Sequence, residues 1–192
     1  MATAGTAQRD AGGSATTVRW SHGVHLYARD EELVDNLERY LLAAWSADGA
    51  GVVIATSAHR RQLHERLAGR RLAGAFGEGR LVELDTDDAL RLFMRDGAPD
   101  RQLFHETIGS LVRDVAPKGG PLHAFGEMVD VLWAEGNPEG ALSLERLWSE
   151  LQEEVDFSLL CGYAHAGIDA DGRAAIAEAH DHLEVRPVSW GC

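Results

Sequence analysis

The sequence predicts one α/β domain: a mostly parallel sheet of five or six strands with helices on both faces, in three layers. Three observations predict it. Short apolar runs of the kind a strand buried on both faces requires alternate with longer stretches of helical period. Glycine, proline or aspartate punctuates nearly every junction between them. A chain of 192 residues with 45% hydrophobic composition suits a single core. Strands separated by helical stretches imply crossover connections and a parallel sheet.

Residues 1–18 are small and polar, follow no period, and are expected to form a disordered tail ahead of a single domain at 19–192. A short strand ends at Tyr27, and Asp30 stands where a helix N-cap belongs, with Leu33, Leu37, Leu41 and Trp45 along one face after it. The run 52–55 is continuously apolar and reads as a buried strand. Ser57 can cap the next helix, which carries Leu63 and Leu67 inward and ends in the glycine-containing stretch 69–79. Strand 81–84 runs into Asp85, Asp87 and Asp88, which can cap a helix holding Leu90, Leu92, Phe93 and Met94. A turn at 96–100 precedes a helix with Leu103, Phe104, Ile108, Leu111 and Val112, closed by 117–120. Strand 122–125, a helix at 129–134, a break at 136–138, and a second helix with Leu144, Leu147, Trp148 and Leu151 follow. Strand 158–163, a helix at 171–182 and a short strand at 185–188 complete the pattern. In parallel sheets of this kind ligands bind beyond the carboxyl ends of the strands, so the residues after Tyr27, Ile54, Leu84, Phe125 and Tyr163 are where function is expected.

Composition excludes several roles. Eighteen Lys+Arg against 31 Asp+Glu give a net charge of -13, so most of the surface repels phosphate backbones and direct nucleic-acid binding is not expected. No apolar run approaches the roughly 18–20 residues that span a bilayer, and the N-terminus lacks a basic cluster followed by an apolar stretch. A cytoplasmic protein is expected, with no membrane contact. The two cysteines, Cys161 in an apolar run and Cys192 at the last position, are expected to be reduced, with Cys161 packing as a small hydrophobe.

Motifs for catalysis are missing. Taking 52–55 as the first buried strand, a phosphate-cradling loop belongs at 55–61, where the sequence has neither glycines nor a lysine in register. Ser57, Arg60 and Arg61 at a helix N-terminus can still hold an anion there, although a plain strand-to-helix turn is the simpler account. Glu127 follows a strand and can supply a carboxylate to a metal or an attacking water, or merely favour the helix dipole. Among nine histidines, His22, His25, His59 and His123 lie near strands, but no pair has metal-ligand spacing, and His180 and His182 should point to different faces of a helix. No metal site is expected, and no cofactor is indicated. Ser57 and Ser158 lack a nucleophile elbow. Trp45, Trp133 and Trp148 read as core.

Six segments in series carry a resemblance: 22–27 (HGVHLY), 53–60 (VIATSAHR), 93–100 (FMRDGAPD), 126–137 (GEMVDVLWAEGN), 144–148 (LERLW) and 157–163 (FSLLCGY). In this order, over about residues 20–188, they resemble the MEDS domain, a sensory module named for the methanogen and methylotroph regulator DcmR. The resemblance implies a RecA/KaiC-like fold with degenerate nucleotide machinery. It also implies sensing of small organic, hydrocarbon-derived molecules, and coupling to histidine kinases, anti-sigma modules or DNA-binding domains in bacterial signal transduction and transcription regulation. The chain leaves no room for a fused output domain, so output is expected through a separate partner. Matching positions make His22, Tyr27, Thr56, His59, Glu127, Asn137 and Tyr163 the expected site-lining residues, with Ser57 and Arg60 beside them. A non-catalytic ligand sensor is thus the leading expectation. The alternatives are a protein-binding adaptor using the acidic surface and a residual nucleotide-binding protein, and a homodimer is compatible with any of them.

Overall fold

The computed structural model describes residues 21–68 and 79–184. The expected tail, most of the glycine-containing stretch, the strand expected at 185–188 and Cys192 lie outside the described residues.

β1 (His22–Tyr27) leads into α1 (Asp30–Ser46), β2 (Ala50–Ala55) into α2 (Ser57–Ala68), and β3 (Leu81–Asp85) into α3 (Thr86–Phe93). A two-residue ribbon, β4 (Met94–Arg95) with β5 (Ala98–Pro99), precedes α4 (Arg101–Phe104), which continues through a π-helical turn (His105–Gly109) into α5 (Ser110–Val115). β6 (Leu122–Gly126), α6 (Met128–Ala134), α7 (Pro138–Glu154) and β7 (Ser158–Ala164) follow, then a 3-10 turn (His165–Gly167), α8 (Ala170–Glu178) and β8 (His182–Glu184).

Six strands form one parallel sheet, as the alternating pattern predicted, and they run in the order β3-β2-β6-β7-β1-β8. Each side chain's face follows from the period of two along a strand. Val53, Ala55, Phe125, Leu160 and Tyr27 pack with Leu33, Leu37 and Leu41 of α1 and Leu63 and Leu67 of α2 on one face. Val52, Ile54, Ala124, Leu159 and Val24 pack on the other, against Phe93 of α3, Phe104 of α4, Leu132 of α6, Trp148 of α7 and Ile176 of α8. The sheet is therefore covered on both sides. Among the described residues no helix is long and apolar enough to cross a membrane.

Local chemistry corrects several boundaries. α1 begins at Asp30 itself with Arg29 at the cap, so Asp30 is a first-turn acid, as are Glu31 and Glu32, rather than the cap. α2 begins at Ser57, and the Oγ1 of Thr56 accepts from the His59 N–H at 3.4 Å, which is the capping role expected of Ser57. Met94 leaves the helix and pairs with Pro99, because Asp96 (φ 50°) and Gly97 (φ 81°) turn the chain through a left-handed pair that closes a tight hairpin. The final helix stops at Glu178, so His182 is not helical but pairs with Gly23 at the edge of the sheet. Asp85 caps α3 as expected, accepting from the Asp87 N–H at 3.0 Å.

Candidate functional site

Strand order sets the site. β1 and β2 are followed by helices on one face, whereas β6 and β7 are followed by helices on the other. Where β2 lies beside β6, and β1 beside β7, the chain leaves neighbouring strands in opposite directions and a crevice opens beyond their carboxyl ends.

Glu127, directly after β6, is 1% exposed. Its carboxylate accepts from the Thr56 backbone N–H and from Nδ1 of His59 at 2.7 Å, while its own N–H donates to the carbonyl of Ile54 at 3.0 Å. Nε2 of His59 lies 3.5 Å from Oδ1 of Asp30, whose side chain is 60% exposed. Burial disfavours the charged imidazole, but the hydrogen bonds and charges of Glu127 and Asp30 outweigh it and raise the His59 pKa. The imidazole is held between two carboxylates, buried at Glu127 and open to solvent at Asp30.

Across the second half of the crevice, the Tyr27 hydroxyl donates to Oδ2 of Asp130 at 3.1 Å, and the Ala164 N–H donates to Oδ1 at 2.9 Å. Burial raises the pKa of Asp130 despite these hydrogen bonds, and burial beside Asp130 and Glu127 raises that of Tyr27 further. The edge of the Tyr27 ring meets the His59 imidazole at 6.0 Å, which joins the two halves.

The phosphate-loop position needs correcting. β1, not β2, is the first strand buried along its whole length, so the turn that matters runs from Tyr27 into α1. It contains no glycine, and Asp30, Glu31 and Glu32 crowd the helix N-terminus that would have to receive a phosphate. Two of the nearby cations are committed within the chain. Arg29 bonds Glu32 at 2.6 Å, and Arg60 bonds Oδ2 of Asp85 at 2.7 Å and the Ala55 carbonyl at 3.2 Å.

Of the residues expected to line the site, Tyr27, Thr56, His59 and Glu127 are brought together. Ser57 is exposed on the first turn of α2, and Arg60 faces Asp85. Asn137 instead caps α7, accepting from the Gly140 N–H at 2.9 Å and donating to the Gly97 carbonyl at 2.7 Å, at the border of a shallow groove of about 520 Å³ between α3 and α6. His22 and Tyr163 point to the other face of the sheet and meet at a different centre, Glu145 of α7. The Tyr163 hydroxyl donates to Oε1 of Glu145 at 2.9 Å, and Nε2 of His22 lies 3.1 Å from Oε2. Cys161 is buried as expected, yet it is not merely apolar filling, since its Sγ–H lies 3.1 Å from Oε2 of Glu145.

Asp130 and Glu145 carry no role in the sequence pattern as read above, and Asp30 and His180 stand there only as a helix cap and a helical histidine. Two of them carry a legible signal. Asp130 stands three residues after Glu127 on the same helical turn, and Glu145 is a charge set into the inward stripe of Ala141, Leu144, Trp148 and Leu151. His180 follows the last helix and reaches Glu145 only through folding.

The described residues build a three-layer parallel α/β domain with a carboxylate–imidazole crevice at its strand ends and an acidic start to the helix after the first strand. The chain belongs to the MEDS family, the methanogen/methylotroph, DcmR sensory domain, whose sequence model matches residues 21–181. No curated protein matches the chain in sequence. The family is one of sensory domains, and that is the coarse role of this protein.

Proposed function

We propose that this sensory domain binds a small, uncharged or cationic organic molecule at the carboxyl ends of β1, β2 and β6, does not turn it over, and passes the event to a separate regulatory protein. The observation that carries this reading is His59, held between buried Glu127 and exposed Asp30 at the mouth of the crevice. The acidic mouth disfavours phosphates and favours hydroxyl, amine or other donor-bearing organics, including hydrocarbon-derived ones. A ligand that takes Asp30's place at Nε2 of His59 frees the first turn of α1, and this is a local change that a partner can read. On this reading the protein is cytoplasmic, and its partner is a kinase, an anti-sigma protein or a transcription factor contacted through the acidic surface rather than DNA itself.

Thermal shift with small alcohols, amines, halogenated hydrocarbons and nucleotides tests the proposal. A ligand at a hundred times its Kd stabilises by about 2.7 kcal/mol, which raises the melting temperature by several degrees. The reading expects such a shift from an organic compound, weakened at least tenfold in affinity by His59→Asn. ATP or GTP turnover abolished by Glu127→Gln would overturn it, as would the absence of any stabilising compound.

A further inference from the structure

We infer that His22, Glu145, Cys161 and His180 bind one divalent transition-metal ion, with zinc the best fit, inside the domain and away from the strand-end crevice. One ligand atom from each residue lies within 4.8 Å of every other, and all four residues are buried. They come from β1, α7, β7 and the segment after α8. The β1–β8 pairing and the Asp181 N–H bond to the His22 carbonyl at 2.8 Å carry His180 to this place.

The spacing is that of a coordination polyhedron. A tetrahedral zinc with bonds of about 2.0–2.3 Å holds its ligand atoms about 3.3–3.8 Å apart. Here Nε2 of His22 is 3.1 Å from Oε2 of Glu145, Sγ of Cys161 is 3.5 Å from Nε2 of His22 and 3.1 Å from Oε2, and Nε2 of His180 is 3.3 Å from Oε1. An ion at the centre needs the close pairs to open by a few tenths of an ångström and the widest pairs, at up to 4.8 Å, to draw in.

Proton counting supplies the stronger argument. Nδ1 of His180 lies 2.6 Å from the Ile176 carbonyl, which can only accept, so that nitrogen carries the hydrogen. The Ser149 hydroxyl donates to the Glu145 carbonyl at 3.2 Å, so its oxygen is left to accept from Nδ1 of His22 at 3.1 Å. As neutral rings both imidazoles turn an Nε2 lone pair toward the Glu145 carboxylate, and among the described residues Nε2 of His180 has no hydrogen-bond donor opposite it. With both rings neutral, only the Cys161 thiol and the Tyr163 hydroxyl among the described residues offer hydrogens to this group of acceptors. A dication satisfies all of them at once. With Glu145 as carboxylate and Cys161 as thiolate the buried charge sums to zero, and Ser149, Ile176 and Tyr163 hold the ligands in orientation as outer partners usually do.

The test uses the full chain without an affinity tag, unfolded in chelator and refolded with zinc or cobalt(II), because the buried site loads as the chain folds. The expected result is one ion per chain by mass spectrometry, tetrahedral cobalt bands in the visible with a thiolate-to-cobalt charge-transfer band, and a higher melting temperature. Cys161→Ser should abolish the charge-transfer band and weaken zinc at least a hundredfold against a competing chelator, whereas Cys192→Ser should change neither. His180→Gln, which keeps a polar group of similar size, should weaken zinc comparably. A refolded wild type that holds no ion overturns the inference in favour of a proton-filled network. Stoichiometric binding that survives both Cys161→Ser and His180→Gln overturns it in favour of an adventitious surface site.

Discussion

Two buried glutamates, Glu127 and Glu145, each hold a histidine, and they differ in access rather than in chemistry. Glu145 of α7 is wholly enclosed, and so are its partners His22, Cys161, Tyr163 and His180. Glu127 is equally buried, but its histidine ends at Asp30, which faces solvent. A sealed cluster cannot exchange ligand on the timescale of signalling without unfolding its surroundings, whereas an open one can. On the proposed function, the first serves stability and the second sensing.

The largest expected effect probes the sealed side. Glu145→Ala leaves two histidines, a thiol and a tyrosine facing one another inside the core and should cost about 3–5 kcal/mol by urea denaturation. Glu127→Ala should cost less, about 1–3 kcal/mol, since water reaches His59 past Asp30. Equal costs for the two would break the comparison.

Acid gives the next effect, with opposite signs at neighbouring histidines on the crevice side of the sheet. Burial lowers the pKa of His25 to about 4, and neither of its ring nitrogens has a hydrogen-bond partner among the described residues. Its neutral form therefore stabilises the fold above the ordinary histidine pKa, and this contribution, on the order of 3 kcal/mol, is lost as pH falls from about 6.5 toward 4. His59 runs the other way. Its raised pKa contributes stability below the ordinary value, which disappears as pH rises through the folded one. His59→Asn should accordingly destabilise more at pH 5.5 than at pH 8.5, and His25→Phe should remove part of the acid sensitivity; denaturation series at several pH values read both.

A smaller effect sharpens the open side. Tyr27→Phe deletes the hydroxyl bonded to Asp130 and should cost about 0.5–1.5 kcal/mol while pushing the Asp130 carboxyl higher still, visible by carboxyl NMR titration. Asp30→Asn touches an exposed carboxylate and should change stability by only a few tenths of a kcal/mol, yet it should lower the His59 pKa. A His59 titration unmoved by Asp30→Asn would show that Asp30 is not the outer wall of the site.

Periodicity and punctuation alone determined the three-layer parallel fold and nearly every element, because apolar spacing and turn residues are local properties of the chain. They also placed the residues after Ile54 and Phe125, Glu127 among them, at one end of the sheet, since residues just past buried parallel strands share that end, and the family resemblance added Thr56 and His59. Alternation even forbids His22 and Tyr27, five residues apart on one strand, from facing the same way. Strand order was decided only by tertiary packing. Which strand neighbours which depends on how long helices cross the sheet, and no local period encodes that. Insertion of β6 and β7 between β2 and β1 makes the turn after Tyr27 part of the crevice. The same packing joins His22 to Glu145 across 123 residues of sequence separation, and Glu145 in turn to His180.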